Sequence, residues 1–278
     1  MHEKTSRAHA TPEQLEKLVA NKLGFVFDLD GTVYLGDDLI PQADRVIEKL
    51  RGMGRKTVFL TNKPIASRNE YVEKLKKLGI PCGEDDVINS SLVLARYLSK
   101  NYPGAAVYPV AEQPVIRDLE EHGLKISDDP EKIEVVAVSW DRDFHYDKLR
   151  IAYEAAMTGA ELVATNPDRT CPMPGYRLPD AACMIAAIEA CTEREVSPIV
   201  GKPSRIMLEE VMGLLDLAPE ECAMFGDRLG TDMKMARDAG LQAVLVLTGV
   251  TEADQLDPLP PQVDLVVNSI ADLLPVLE

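Results

Sequence analysis

The sequence predicts an α/β fold built on a parallel sheet, because short apolar runs alternate along the chain with segments that carry helix signals. The runs are continuously apolar and do not alternate with polar residues, which is typical of strands that a sheet buries on both faces. A chain of 278 residues with 46% hydrophobic side chains suffices for one or two domains with a sizeable core. The predicted strands are Leu23–Phe27, Thr57–Leu60, Val135–Ser139, Leu162–Ala164, Ile199–Val200, Cys222–Phe225, Ala243–Leu247 and Leu265–Val267.

Three segments between or before these runs carry the capping signals of helices. Thr11-Pro12-Glu13-Gln14 predicts a leading helix with Pro at its first position. Ser67-Arg68-Asn69-Glu70 has the capping-box pattern, and Gly79 predicts the end of that helix. Thr231 is predicted to cap a later helix that ends at Gly240.

The composition excludes several kinds of partner and site. The formal net charge is −16, so a nucleic acid polymer or an anionic membrane surface would repel the chain. No apolar run reaches the roughly 18 residues of a membrane span, and residues 1–10 lack the apolar stretch of a secretory signal. The five cysteines are odd in number and have no CxxC spacing, which argues against a disulfide framework. We therefore expect a cytoplasmic protein.

Two carboxylates follow the first predicted strand directly. The strand runs into Asp28-Leu29-Asp30-Gly31-Thr32, and alternation puts Asp28 and Asp30 on the same side. Two anions so close repel each other unless a cation joins them or one holds a proton. Ligands of open parallel sheets bind at the carboxyl ends of strands. A solvated strand end with a Gly turn explains this short pattern about equally well, but an EF-hand loop does not, because its later Gly and Glu positions are unmatched.

A second group of carboxylates follows the strand Cys222–Phe225, in Gly226-Asp227-Arg228-Leu229-Gly230-Thr231-Asp232. Asp232 alone is explained by its place in the first turn of a helix, where an acid is favoured. Asp227 has no such explanation, and with Asp28 and Asp30 it would form a site made only of oxygen ligands. Such ligands suit Mg²⁺, which keeps several waters and binds substrate phosphate.

Two further strand ends carry a hydroxyl, an amide and a cation. Thr61-Asn62 follows the strand Thr57–Leu60, although a Thr-Asn turn is also common in its own right. Lys202 follows the strand Ile199–Val200 and does not belong to a Walker A loop, because the upstream Gly is missing and Pro203 stands where Ser or Thr is required. A carboxylate nucleophile, a second acid, a hydroxyl and a lysine at strand ends are the groups needed for phosphoryl transfer through an aspartyl-phosphate.

In this order along the chain, the residues resemble the four motifs of the haloacid dehalogenase (HAD) superfamily over roughly residues 22–278. The resemblance implies a Rossmann-like core with a parallel sheet. Only 33 residues separate Asp28 from Thr61, too few for a cap domain, whereas 141 residues separate Thr61 from Lys202. That spacing resembles subfamily IIA, the NagD-like and p-nitrophenyl-phosphatase-like enzymes with an inserted C2-type α/β cap. We predict a core of residues 1–89 and 198–278 and a cap of residues 90–197.

The resemblance also implies the roles of the motif residues. Asp28 would attack phosphorus, and Asp30 would protonate the leaving oxygen and then activate water. Thr61, Asn62 and Lys202 would bind the phosphoryl oxygens. Asp30 also argues for a phosphatase, because family members that keep the aspartyl-phosphate have Thr there.

The resemblance gives Mg²⁺ as the cofactor, held by Asp28, Asp227 and the backbone carbonyl of Asp30, with Asp232 orienting a metal-bound water or Lys202. In the cap, Arg142 is a candidate for contacting an anionic leaving group, and Asn166-Pro167-Asp168 is a turn that could face the cleft; a solvated turn is the alternative for both. Asp180 and Cys183 depart from the subfamily, which usually has small residues there.

The expected function is therefore Mg²⁺-dependent hydrolysis of a small phosphate monoester, such as a sugar phosphate, a nucleotide or an aryl phosphate. A phosphotransferase or phosphomutase is one alternative, and a non-catalytic protein that binds phosphorylated metabolites is another. The resemblance also implies a homodimer formed through the cap.

Overall fold

The computed structural model describes residues 9–173 and 175–278. Within them the chain forms a six-stranded parallel sheet, a four-stranded parallel sheet and two short antiparallel hairpins. Residues 1–8, which form most of the segment behind the prediction of no secretory signal, lie outside the described residues. None of the described helices combines the length and apolar character needed to cross a membrane.

The elements alternate between strand and helix along most of the chain, as the sequence predicts. The strands are β1 (Gly24–Asp28), β2 (Tyr34–Leu35), β3 (Asp38–Leu39), β4 (Lys56–Thr61), β5 (Val87–Asn89), β6 (Ala106–Val110), β7 (Lys125–Ile126), β8 (Val135–Val138), β9 (Glu161–Ala164), β10 (Thr170–Met173), β11 (Tyr176–Pro179), β12 (Cys222–Gly226), β13 (Gln242–Val246) and β14 (Leu265–Val267). The helices are α1 (Pro12–Asn21), α2 (Ala43–Gly52), α3 (Arg68–Lys77), α4 (Ser90–Asn101), α5 (Gln113–Glu121), α6 (Tyr146–Met157), α7 (Ala181–Thr192), α8 (Arg205–Leu215), α9 (Lys234–Ala239) and α10 (Leu274–Leu277).

The six-stranded sheet has the order β14-β13-β12-β1-β4-β5, with every neighbouring pair parallel. Every residue of β1 is buried, which explains why its sequence is continuously apolar up to Asp28. Phe25 and Phe27 pack on one face with Phe225 of β12, and Val26 packs into the cluster on the other. Because β1 lies inside the sheet, the loops that follow it and its neighbours meet at one edge.

The predicted strand Ile199–Val200 is wrong in extent. Ile199 forms only an isolated bridge with Ala164 at the end of β9. Pro198 precedes this segment and Gly201 follows it, so too few residues remain for a strand ladder.

The helix signals near the N-terminus are confirmed, and a later one is wrong. Thr11 and Ser67 both form complete capping boxes, at α1 and α3. Thr231 caps no helix, because residues Leu229–Met233 form one wide π-helical turn that precedes α9, but the predicted end of that helix at Gly240 is confirmed. The wide turn carries Asp232 into the sheet edge, where its carboxylate accepts the Arg228 N–H at 3.1 Å.

The four-stranded sheet has the order β7-β6-β8-β9 and is also parallel. Helices α6 and α7 cover one face of it and bury Trp140, which follows β8. The strands β6 and β7 escaped sequence prediction: β6 contains Pro109, and β7 has two residues. Together the two sheets give the α/β architecture of a Rossmann-like core with an inserted α/β cap.

Helix α4 lies where the two sheets meet. It packs against α5 of the smaller sheet and against α8 of the larger one. Its Leu94 and Leu98 belong to an apolar cluster that also contains Val58 and Val135, from one sheet each. The proposed boundary between residues 89 and 90 coincides with the start of this helix.

Candidate active site

Residues from six separate segments of the chain line one small cavity at the carboxyl edge of the six-stranded sheet. Asp28 ends β1, Thr61 ends β4, and Lys202 comes from the loop before α8. The cavity has a volume of about 40 Å³. It is lined by five of the seven residues to which the sequence assigns a role in the site, Asp28, Asp30, Thr61, Asn62 and Lys202, and by Lys63, Asp168, Cys171, Pro172, Asp180, Arg228 and Thr231.

Lys202 is buried between two carboxylates at the base of the cavity. Its Nζ contacts Asp28 Oδ1 and lies 2.7 Å from Asp232 Oδ1. Burial alone would lower the pKa of Lys202, but Asp232 and Asp28 raise it above its ordinary value, so the lysine stays charged. Burial raises the pKa of Asp28 well above its usual range despite Lys202, and the Asp232 and Asp227 carboxylates add to the effect.

Three buried carboxylates meet beside this lysine. One oxygen from each of Asp28, Asp227 and Asp232 lies within 4.8 Å of the other two. Asp227 Oδ1 is buried and has no hydrogen-bond partner among the described residues. Burial, and then the neighbouring Asp232, raises the pKa of Asp227 to about 7. A hard divalent cation such as Mg²⁺ fits this cluster. It binds carboxylate oxygens, would pair with the unsatisfied Asp227 Oδ1, and would favour the ionised carboxylates that burial disfavours.

The loop after β13 fixes the position of Asp227. The Val250 N–H donates to Asp227 Oδ2 at 2.6 Å, and the Thr251 hydroxyl donates to the Asp227 carbonyl at 2.6 Å. A Cβ atom at Gly249 would lie 2.0 Å from Asp227 Oδ2, so only glycine fits there. The Thr248 hydroxyl donates to the Gly31 carbonyl at 2.5 Å and ties this loop to the one after β1.

Asn62 holds the backbone of Lys202 through its side chain. Its Oδ1 accepts the Lys202 N–H at 2.8 Å, and its Nδ2 donates to the Lys202 carbonyl at 3.1 Å. The same Nδ2 donates to Asp168 Oδ2 at 2.9 Å. The side-chain amide is therefore committed to positioning Lys202, which the sequence could not indicate because the two residues are 140 positions apart.

Asp30 lies on the side of the cavity that faces the cap. Its carboxylate is not part of the three-acid cluster, and both of its oxygens lack a hydrogen-bond partner among the described residues. Lys63 Nζ lies 3.5 Å from Asp30 Oδ1 and 6.0 Å from the centre of the Trp140 ring. Sequence reasoning missed Lys63, although its place directly after Thr61-Asn62 at the sheet edge was a usable signal.

Asp168 of the cap and Arg228 of the core both line the cavity and form an ion pair there. Arg228 Nη1 lies 3.3 Å from Asp168 Oδ1, and Nη2 donates to the Thr170 carbonyl at 2.9 Å. The turn with Asn166 and Asp168 thus faces the cleft. Arg142 does not line the cavity, because its guanidinium pairs with both Glu112 carboxylate oxygens at 2.6 Å.

Asp180 is buried at the start of α7. Its Oδ1 accepts the Ala181 N–H at 2.6 Å and the Asn166 side-chain amide at 3.0 Å. Burial raises the pKa of Asp180 to about 6, and these hydrogen bonds only partly oppose the shift.

Comparison with known proteins gives consistent results. The family of haloacid dehalogenase-like hydrolases matches residues 25–125, and a HAD-hydrolase-like family matches residues 199–273. The sugar-phosphatase AraL of Bacillus subtilis is 35% identical over 92% of this chain and 93% of its own length. The glycerol-3-phosphate phosphatase of Gallus gallus is 33% identical over 96% of this chain and 95% of its own length.

Solved structures resemble this chain over both sheets. The p-nitrophenyl phosphatase from Archaeoglobus fulgidus has a TM-score of 0.85 at 31% identity and covers 91% of this chain and 98% of its own. The 4-nitrophenylphosphatase from Thermotoga maritima has a TM-score of 0.88 at 30% identity and covers 94% and 99%.

The raised pKa of Asp180 makes a prediction about stability and pH. An unfolded Asp titrates near 3.8 and the folded one at about 6, so the folded state binds the proton more tightly and loses stability as pH rises through this window. Asp180→Asn keeps Oδ1 for both hydrogen bonds and removes the charge. At pH 8 we expect the variant to exceed the wild type in free energy of unfolding by about 1–3 kcal/mol, with the difference shrinking towards pH 4. Denaturant unfolding across this range measures it.

Asp85→Asn, at an exposed position, is the control and should show no such pH-dependent gain. A stability difference at position 180 that does not change with pH would contradict the prediction.

Proposed function

Because the chain belongs to the haloacid dehalogenase-like hydrolases, in the NagD-like subfamily IIA, and is a phosphoric monoester hydrolase, we propose that it hydrolyses a small phosphorylated metabolite through an aspartyl-phosphate on Asp28. The observation that carries this proposal is the buried contact of Asp28 with Lys202 in a cavity that Asp30 also lines. The similar proteins are named for sugar phosphate, glycerol 3-phosphate and p-nitrophenyl phosphate.

In the proposed reaction an Asp28 oxygen attacks phosphorus, and the bond from phosphorus to the ester oxygen breaks. Asp30 gives its proton to the leaving oxygen, and then takes a proton from the water that attacks the aspartyl-phosphate. Neither oxygen of Asp30 has a hydrogen-bond partner among the described residues, and the ion pair with Lys63 at 3.5 Å is loose, so the carboxyl group can exchange a proton with a ligand. The second step restores Asp28 and releases inorganic phosphate.

Thr61, the backbone amide of Asn62 and Lys202 are the proposed ligands of the phosphoryl oxygens. All three residues line the cavity with Asp28. Lys202 brings a fixed positive charge, and burial away from water strengthens its effect on charge that develops in the transition state. Asp232 is proposed to act through Lys202, whose ammonium it contacts together with Asp28.

Mg²⁺ is the proposed cofactor, with Asp28, Asp227 and the backbone carbonyl of Asp30 as its ligands. When bound, the ion would neutralise the crowded carboxylates and the charge of the phosphoryl oxygens. Asp232 belongs to the same cluster, but its oxygens already bind the Lys202 ammonium and the Arg228 N–H. We therefore assign Asp232 to positioning and not to the inner ligand set.

The size of the cavity bears on how a substrate enters. A volume of about 40 Å³ is small beside the roughly 300–1,000 Å³ of a typical ligand pocket, and residues of the cap and of the core line it together. We propose that the cap moves away from the core when a substrate enters, which would break the contacts of Asp168 with Asn62 and Arg228. Closure would exclude bulk water during phosphoryl transfer.

A homodimer formed through the cap is the proposed assembly. Tyr146, Tyr153 and Met157 of α6 are 77%, 38% and 54% exposed. Their spacing of seven and four residues puts them on one face of the helix. A face with two aromatic side chains and a methionine has the composition of a protein interface.

The nucleophile is tested by Asp28→Asn. We expect a loss of p-nitrophenyl phosphate hydrolysis of at least about 10³-fold, because an amide cannot form the acyl-phosphate. Measurements of turnover in Mg²⁺ and of the thermal midpoint separate lost chemistry from lost folding. Hydrolysis at the wild-type rate by the folded variant would refute the assignment, and transfer of phosphate to an added alcohol in preference to water would favour a phosphotransferase.

Removal of divalent metal should abolish activity. The three buried carboxylates repel one another without a cation, so EDTA should leave Asp28 unable to react and added Mg²⁺ should restore turnover. The thermal midpoint of the EDTA-treated protein should rise on titration with Mg²⁺ by mass action. Asp227→Asn should weaken that Mg²⁺-dependent shift, and full activity in EDTA would contradict the metal proposal.

The dimer proposal predicts a mass of twice 30.6 kDa in light scattering. The double substitution Tyr146→Lys and Met157→Lys should yield a monomer, because it places charge in the apolar face of α6. The matched control is Met53→Lys. Met53 is 48% exposed but belongs to the core domain and not to the cap, so this variant should stay dimeric. A monomeric wild type would exclude the proposal.

A further inference from the structure

Three cations line the cavity, and they differ in how firmly the protein holds them. Lys202 lies between Asp28 and Asp232, and Arg228 binds both Asp168 and the Thr170 carbonyl. Lys63 pairs with one carboxylate among the described residues, that of Asp30, and the separation is 3.5 Å. Its ammonium is therefore the cation of this cavity that is most available to a ligand.

The cap forms the wall behind Lys63. The ammonium lies 6.0 Å from the centre of the buried Trp140 ring, and Cys171 of the hairpin β10–β11 lines the cavity beside it. The Lys63 side chain is 18% exposed, so most of its length is shielded from water. A positive charge in such surroundings interacts more strongly with an anion than a surface lysine does.

The distance from Lys63 to the reacting ester is limited by Asp30. A proton donor lies about 2.7 Å from the oxygen it protonates, so Lys63 Nζ lies no more than about 6 Å from the leaving oxygen if Asp30 Oδ1 carries the proton. A carboxylate oxygen on the carbon next to the ester carbon lies about 3–4 Å from the ester oxygen. An ammonium hydrogen bond of about 2.8 Å then spans the remaining distance.

We infer that Lys63 is a specificity-determining residue that binds a carboxylate carried by the leaving alcohol one or two carbons from the ester carbon. The inference rests on the proposed function, since Asp30 fixes the geometry as the acid that protonates the leaving oxygen. A carboxylate is favoured over a second phosphate group, because Asp30, Asp168 and Asp180 also line the cavity and oppose a dianion more than a monoanion.

A simpler role for Lys63 is to hold Asp30 in place. In that case its loss would slow every substrate to the same extent, because all of them need the acid. A role in binding a carboxylate acts only on substrates that have one. The two roles are separated by the ratio of kcat/KM between paired substrates, and not by the activity on any single one.

The test uses two substrate pairs that differ in one group. They are 2-phosphoglycerate with glycerol 2-phosphate, and 3-phosphoglycerate with glycerol 3-phosphate, in which a carboxylate replaces a hydroxymethyl group. In the wild type we expect higher kcat/KM for the carboxylate member of at least one pair. Lys63→Met should lower that ratio by about 10- to 100-fold, the usual size of a charged hydrogen bond, while Lys63→Arg should retain part of it.

Where turnover of an ester is too slow to measure, the same comparison uses its inhibition constant. The four esters are tested as competitive inhibitors of p-nitrophenyl phosphate hydrolysis, and the ratio of inhibition constants within each pair replaces the ratio of kcat/KM. Lys74→Met is the matched control, because Lys74 also pairs with one carboxylate, Asp37 at 3.3 Å, and lies 4.0 Å from an aromatic ring, that of Tyr34, but does not line the cavity. It should leave the ratio unchanged.

Equal losses for both members of each pair in Lys63→Met would overturn the inference and assign Lys63 to positioning Asp30. A wild type without preference for the carboxylate would overturn it as well. Both outcomes leave the proposed function intact, because that function fails only if the wild type hydrolyses neither these esters nor p-nitrophenyl phosphate in Mg²⁺.

Discussion

The site depends on one buried lysine that is shared by two carboxylates. Lys202 contacts Asp28 and Asp232, and all three side chains are almost completely buried. Breaking a buried ion pair by removing one partner typically costs about 3–5 kcal/mol, since the other charge is left in a poor solvent. Asp227 adds a third acid within 4.8 Å, so the protein alone leaves this cluster with an excess of negative charge. Burial, and in addition the neighbouring carboxylates, raises the pKa values of Asp28 and Asp227, and the proposed metal ion would offset the excess charge.

The backbone around these charges is held by contacts between distant parts of the chain. Asn62 fixes the peptide of Lys202, and Gly249 allows its loop to approach Asp227 with no side chain between them. The Gly249 contact joins the loops that follow β13 and β12 of the six-stranded sheet, and Asn62 ties the loop after β4 to the segment before α8 that carries Lys202. Because those strands are parallel, the loops emerge at one edge, and short polar side chains suffice to connect them. The parallel sheet is thus what makes the charge cluster possible.

The parts of this site that could be predicted are those that depend on local sequence. Apolar strands that end in Asp28 and Thr61 can be recognised without a structure, because buried parallel strands leave continuous apolar runs and polar ligands follow them. The pairing of Arg228 with Asp168 could not, because it joins residues 60 positions apart in core and cap. Arg142 follows a cap strand and is a reasonable candidate by its sequence position, but it pairs with Glu112 and does not line the cavity. Thr231 does not cap a helix, because it lies inside the π-helical turn Leu229–Met233. In this turn the Asp232 carboxylate accepts the Arg228 N–H.

The net negative charge of the chain extends into the lining of this cavity. The formal charge of −16 argues against polyanionic partners, yet the proposed substrate is itself an anion. The lining does not resolve this by accumulating lysine and arginine, since it contains four acids, Asp28, Asp30, Asp168 and Asp180, against three cations, Lys63, Lys202 and Arg228. With the acids ionised, the lining carries one net negative charge, and Asp227 and Asp232 beside Asp28 add two more, so a divalent ion would offset most of this charge. Attraction of a phosphate ester would then depend on a bound metal. Lys63 and Arg228 would determine where the rest of the substrate can carry a second negative charge.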